Sequence, residues 1–80
     1  MTTLEDIKEM LEMIQEDQSC PKSLREKIEF MKKTIESNQE NQLKIDTLQN
    51  TLEEVSNDVN IPSFVRTQVW SVSSALETVQ

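Results

Sequence analysis

Two triads of side chains stand in the same order and at the same spacing: Asp17, Pro21 and Arg25, then Asp58, Pro62 and Arg66. A carboxylate and a guanidinium held together can bind a ligand or assist a reaction, but nothing beside either triad supplies a nucleophile or a base. The proline between them gives the simpler reading. It fixes φ at about −65°, which breaks one helix and suits the first turn of the next. An aspartate just ahead of it can accept hydrogen bonds from free N–H groups at that helix start. An arginine one turn inside can pair with that carboxylate, or with its equivalent in the other triad. Both triads are therefore read as structural corners.

Other chemistry is bounded by what the chain lacks. It contains no Gly and no His, and Cys20 is its one cysteine. Without Gly there is no phosphate-cradling loop of the P-loop or dinucleotide type. Without His, a lone Cys builds neither a zinc site nor a Cys-His or Ser-His-Asp relay. It also makes no intrachain disulfide, in keeping with a reducing cytoplasm. Glu5, Glu9, Glu12 and Glu16 share one helical stripe, which is read as a solvated acidic face rather than a cation site. No catalytic residue, cofactor or metal is expected, and the chain is read as a non-enzyme.

The formal charge is −7. That is the wrong sign for a DNA-binding surface, which needs a basic face. Lys22, Arg25, Lys32 and Lys33 form a small basic group, but Glu26, Glu29 and Glu36 are interleaved with them, as on an ion-paired face. An RNA- or ribosome-associated accessory role through that group is the alternative reading. No apolar run approaches a membrane span, so a soluble cytoplasmic protein is expected.

The elements that position the triads follow from a repeat. Sliding residues 4–36 onto 45–77, an offset of 41, sets Leu4, Ile7, Leu11 and Ile14 on Ile45, Leu48, Leu52 and Val55. It also sets Cys20, Leu24, Ile28, Met31 and Ile35 on Ile61, Val65, Val69, Val72 and Leu76. Three- and four-residue spacing is the mark of an amphipathic helix. The first helix is capped by Thr3 and ends near Asp17. The second opens at Pro21 and ends near Ser37. A capping box at Ser37-Asn38-Gln39-Glu40 predicts a third helix from there to about Asn57, with Leu43, Ile45, Leu48, Leu52 and Val55 inward. The fourth opens at Pro62 and runs through Val79 to the C-terminus. Residues 1–80 are read as a single all-α domain, an antiparallel four-helix bundle of two duplicated hairpins.

The two halves differ most in the fourth helix. From Pro62 onward only Arg66 and Glu77 are charged; Trp70 stands where the first half has Glu29, and Phe64 where it has Ser23. At 100° per residue, Trp70 points roughly 140° away from the Val65, Val69, Val72 and Leu76 stripe. Arg66, Ser73 and Glu77 share its side. An outward Trp on a helix nearly free of charge is the pattern of a protein interface. These four residues are the candidate interface, for a second copy in a homodimer or for another protein.

The corner Asp58-Val59-Asn60-Ile61-Pro62-Ser63-Phe64-Val65-Arg66 resembles the HEAT repeat, with Leu24-Arg25 as its weaker counterpart. The string Asp46…Leu52-Glu53-Glu54-Val55-Ser56-Asn57-Asp58-Val59-Asn60-Ile61-Pro62…Arg66-Thr67-Gln68-Val69-Trp70…Leu76-Glu77 resembles a short archaeal family catalogued as uncharacterised protein family 0147, with Cys20-Pro21-Lys22-Ser23-Leu24-Arg25 as its earlier corner. That resemblance implies a compact helical protein of an archaeal cytoplasm and brings no established activity. It also implies an Asp-Pro opening to the third helix, where this chain has Asn38-Gln39-Glu40-Asn41-Gln42.

Overall fold

The apolar stripes form four helices in the computed structural model, which describes residues 2–79: α1 (Leu4–Glu16), α2 (Lys22–Glu36), α3 (Asn41–Ser56) and α4 (Ser63–Leu76). The fold is all-α. Among the described residues there is no strand, only an isolated parallel bridge between Thr2 and Val79. The radius of gyration is 11.6 Å, matching the roughly 11.6 Å that chain-length scaling gives for a compact chain of this size.

Each helix boundary has a local cause. Thr3 caps α1 as expected. Its hydroxyl accepts from the Asp6 amide at 3.2 Å, and the Asp6 carboxylate accepts from the Thr3 amide at 3.0 Å, closing a reciprocal box. At the corners, Asp17 Oδ1 accepts from the Ser19 amide at 2.8 Å, and Asp58 Oδ1 from the Asn60 amide at 2.9 Å. The carboxylates thus fold the loop on itself in an Asx turn instead of serving the next helix start. Pro21 and Pro62 begin α2 and α4 with no side-chain cap. Arg25 likewise reaches the backbone oxygen of Asp17, at 3.4 Å, and not its carboxylate.

Three boundary or burial expectations need correction. Ser37 ends α2 rather than opening α3: its hydroxyl donates to the Thr34 carbonyl at 2.7 Å, and α3 begins at Asn41 behind Glu40, without a side-chain cap. Lys44 reinforces that stop by donating to the Ile35 carbonyl at 2.8 Å. Leu43 is exposed, because a start at Asn41 places it in a first turn that no helix covers. Helix α4 ends at Leu76, where the Thr78 hydroxyl takes the Ala75 carbonyl at 2.7 Å and Val79 turns to meet Thr2. Gln80, the end of the expected helix, lies outside the described residues.

The core is a single cluster of sixteen buried apolar side chains. They fall into eight pairs, each 41 residues apart: Ile7 with Leu48, Leu11 with Leu52, Ile14 with Val55, Cys20 with Ile61, Leu24 with Val65, Ile28 with Val69, Met31 with Val72, and Ile35 with Leu76. Burial pushes the Cys20 thiol above its ordinary pKa, as in an unreactive packing residue. Helix α1 lies beside α2 and α4, and α3 lies beside α2 and α4; the backbones of α1 and α3, and of α2 and α4, stay further apart.

A polar network closes the outer seam between α1 and α2. Lys8 pairs with Glu36. Lys32 donates to Gln15 at 3.1 Å and lies 3.5 Å from Glu29 and 4.0 Å from Glu12, while Gln15 donates to Glu29 at 3.2 Å. Between α2 and α3, Lys27 pairs with Glu54 at 3.2 Å. The Lys8 ammonium holds Glu36 below the usual carboxylate range, and Glu36 in turn raises Lys8. Glu29 is lowered first by the Gln15 amide and then by Lys32.

Two outcomes follow. Leu52→Ala removes a side chain that is 1% exposed; a loss of about 2–5 kcal/mol is expected from such a truncation, out of roughly 4–12 kcal/mol for a chain of this size, read as a fall in the urea midpoint. The lowered pKa values of Glu29 and Glu36 contribute stability that is complete above the unfolded carboxylate pKa and disappears as pH falls through the folded values. Lys8 works in the opposite sense, its contribution being lost only as alkaline pH passes its raised pKa. Thermal midpoints should therefore be flat near neutrality and fall modestly at acid pH, and Glu36→Gln should shrink the acid decline. An acid limb identical in that variant would contradict the assignment.

Candidate functional site

Helix α4 is held by its inward stripe. Val65, Val69, Val72 and Leu76 are all buried, and the Pro62 carbonyl accepts from the Val65 and Arg66 amides, both at 3.0 Å. Valine and serine are mediocre helix formers, so packing sets this helix more than propensity does. On its outward side, the Thr67 hydroxyl donates to the Ser63 carbonyl at 3.1 Å, and the Ser71 hydroxyl to the Thr67 carbonyl at 3.3 Å. Those bonds to the helix's own carbonyls occupy the hydroxyl protons and leave the face poor in free donors.

Trp70 is 55% exposed. About half of the side chain therefore faces outward, the direction expected from the helical wheel. Arg66 and Ser73 are half-buried on the same side, and Glu77 is exposed one turn beyond Ser73. Ser73 and Glu77 line an open groove between α4 and α3, together with Gln49, Glu53, Ser56 and Asn57.

That groove is the positional counterpart of the α1/α2 seam. Shifted by 41, Lys8 becomes Gln49, Glu12 becomes Glu53, Glu29 becomes Trp70, Lys32 becomes Ser73 and Glu36 becomes Glu77. In the first seam two lysines neutralise the carboxylates. In the second both lysines are replaced by neutral residues while Glu53 and Glu77 stay. Among the described residues, no cation lies within ion-pair distance of either.

Arg66 differs from its counterpart in the same way. Arg25 donates to the Asp17 carbonyl, whereas Arg66 Nε is buried with no hydrogen-bond partner among the described residues. It is the one cation in α4. The α4 face thus carries an unpaired guanidinium at one end, uncompensated carboxylates at the other and an exposed indole between them. Such an arrangement suits binding.

The six corner residues divide accordingly. Asp17, Pro21, Asp58 and Pro62 shape the two loops, Arg25 ties the first loop down, and Arg66 joins the α4 face instead. The basic group on α2 is dispersed, since Lys32 is drawn into the α1/α2 seam. Three further exposed apolar side chains were not singled out from the sequence for their exposure: Met13, Phe30 and, in the second corner, Val59. Met13 lines an α1/α4 groove with Met10, Gln68 and Ser71, and Phe30 an α2/α3 groove with Thr47 and Thr51. Met13 and Phe30 lie off their helix's buried stripe, which is the signal that locates them.

Comparison with known proteins gives the chain a family but no activity. Residues 1–79 match the uncharacterised protein family UPF0147. A UPF0147 protein of Methanothermobacter thermautotrophicus is 33% identical over 79 residues, covering 98% of this chain and 78% of that protein. One from Archaeoglobus fulgidus is 32% identical over 76 residues, covering 95% and 87% respectively. One from Methanocaldococcus jannaschii is 36% identical over 72 residues, covering 89% and 77%. No solved structure matches the chain with significance. With all but its last residue inside the match, and most of each relative's length aligned, the chain belongs to the uncharacterised protein family UPF0147.

Proposed function

We propose that this protein is a small, non-enzymatic, cytoplasmic interaction module that docks a protein surface through α4, around Trp70. The observation that carries the reading is the exposed indole on a helix whose residues 63–76 hold one charged side chain, Arg66, in a chain of formal charge −7. Interface cores are depleted of charge and enriched in Trp and Arg, and a half-exposed indole has about half its apolar surface left to bury. Among the described residues no helix is long and apolar enough to cross a membrane.

The scaffold presenting this face is an antiparallel four-helix bundle of two duplicated hairpins, with HEAT-like Asp-Pro-Arg corners. Three observations support that arrangement: the ring of helix contacts, the eight-fold pairing of core positions at an offset of 41, and the matching Asx turns at Asp17 and Asp58. The RNA-associated alternative has weaker support, since the lysine that would anchor a basic face, Lys32, is committed to Glu12, Gln15 and Glu29.

Trp70→Ala tests the reading. Because the indole is half-exposed, the substitution should cost well below the roughly 3–5 kcal/mol of a buried Trp truncation and leave helix content intact. It should lower the native mass or abolish capture of a partner from cells. Unchanged mass together with unchanged partners would refute docking through this face.

A further inference from the structure

We propose that the α4 face is a self-complementary seam that takes a second copy of this chain. In that pairing α4 packs antiparallel to α4 of the second copy, and Arg66 of each copy enters the Glu53/Glu77 end of the other's groove. The inference rests on the α4 docking reading and names its partner.

Spacing supplies the first argument. Arg66, Trp70, Ser73 and Glu77 follow one another at intervals of four, three and four residues along one side of α4. That is the interval pattern of a two-helix seam, and it reads the same in both directions. A two-fold axis through its midpoint sets Arg66 against Glu77 and Trp70 against Ser73, twice over. The pairs match in charge and in size: guanidinium with carboxylate, and the largest side chain with one of the smallest. An isologous interface requires this reciprocity, because each patch must fit itself.

Charge supplies the second. The groove keeps Glu53 and Glu77 but has Gln49 and Ser73 where the α1/α2 seam has Lys8 and Lys32. The cation that such a seam holds internally in the first half is absent in the second. Arg66, which forms no ion pair or side-chain hydrogen bond among the described residues, is the cation left over on the same face. It cannot serve its own groove's far end: Arg66 and Glu77 are eleven residues apart, about 16 Å along a helix. An antiparallel second copy brings the two together. The rest of the surface favours this face for a like-charged partner. The outward side of α1 carries Glu5, Glu9, Glu12 and Glu16, whereas α4 carries no acid before Glu77.

The test is sedimentation equilibrium on the full chain, with helix content checked by circular dichroism for every variant. The wild type is expected at twice the 9.3 kDa chain mass, with association weakened by added salt. Arg66→Glu and Glu77→Arg should each weaken self-association at least tenfold. Mixed one to one, they should associate again, because one variant then offers two carboxylates and the other two guanidiniums at the crossing points. Glu77 is exposed at the end of α4, so Glu77→Arg tests the seam even if Arg66→Glu proves unfolded. A monomeric wild type overturns the pairing, and so does a dimer indifferent to Glu77→Arg, or folded variants that do not recombine. If the wild type is a monomer that still loses a cellular partner on Trp70→Ala, the pairing falls and α4 docking stands. If that substitution changes nothing, both fall.

Discussion

Joint burial of sixteen apolar side chains is the constraint on which everything else in this protein depends. The helices are 13 to 16 residues long, a length at which an isolated helix is marginal in water even with a favourable sequence. Helix α4, rich in Val, Ser and Thr, is less favourable than that. None of the four persists on its own propensity; each exists because its stripe is covered by two neighbours. The corners serve the same end. An Asx turn and a proline end one helix and begin the next within a few residues, so that consecutive stripes meet before much entropy has been spent on a loop. The lack of glycine fits this economy, since no described residue adopts positive φ.

With the core fixed, the surface is free to differ between the halves, and it does so in one direction. Each ion pair among the described residues joins side chains of α1, α2 and α3. These pairs are solvent-facing and individually weak, and their effect is mainly to keep the α1/α2 and α2/α3 sides hydrated and charge-balanced. The α3/α4 side has no counterpart to them. Its carboxylates stand without cations and its guanidinium without an acceptor, beside an indole half out of the protein. A surface that stays wet has no use for Trp at such a position, whereas a seam that becomes dry on association does.

Much of this was legible in the sequence, and the illegible part has a physical explanation. All sixteen core positions lie on the stripes that helical spacing marks, because burial is decided by large apolar terms that local detail does not overturn. The Thr3 cap and the outward Trp70 were legible for the same reason, one from a short-range hydrogen bond and one from helix geometry. Boundaries were harder. Ser37 can cap the helix behind it or the one ahead, and the two options differ by about one hydrogen bond; the Lys44 bond to the Ile35 carbonyl favours the former. The end of α4 was overrun because Val79 continues the apolar period, while a bridge to Thr2 claims it. The uncompensated groove was invisible from either helix alone. Glu53 is unremarkable on α3 and Ser73 is unremarkable on α4; only their adjacency reveals that a cation is missing between them.

Arg25 and Arg66 concentrate the distinction between structure and function in this chain. They occupy equivalent places after equivalent corners, so packing alone predicts equivalent bonding. Arg25 meets the expectation by donating to the Asp17 carbonyl, and that corner is complete in itself. Arg25 is exposed, whereas Arg66 is half-buried and its Nε is withdrawn from water with no hydrogen-bond partner among the described residues. Leaving a buried donor unsatisfied costs about 1–3 kcal/mol, a large fraction of what holds together a chain of this size. A cost of that kind, confined to one of two equivalent positions and adjoining the only exposed Trp, is not explained by the needs of the fold, which the other corner meets without it. The Nε itself lies under its own chain, so an incoming carboxylate meets the outer Nη edge of the guanidinium, and the ion pair absent from the single chain becomes part of the free energy of association.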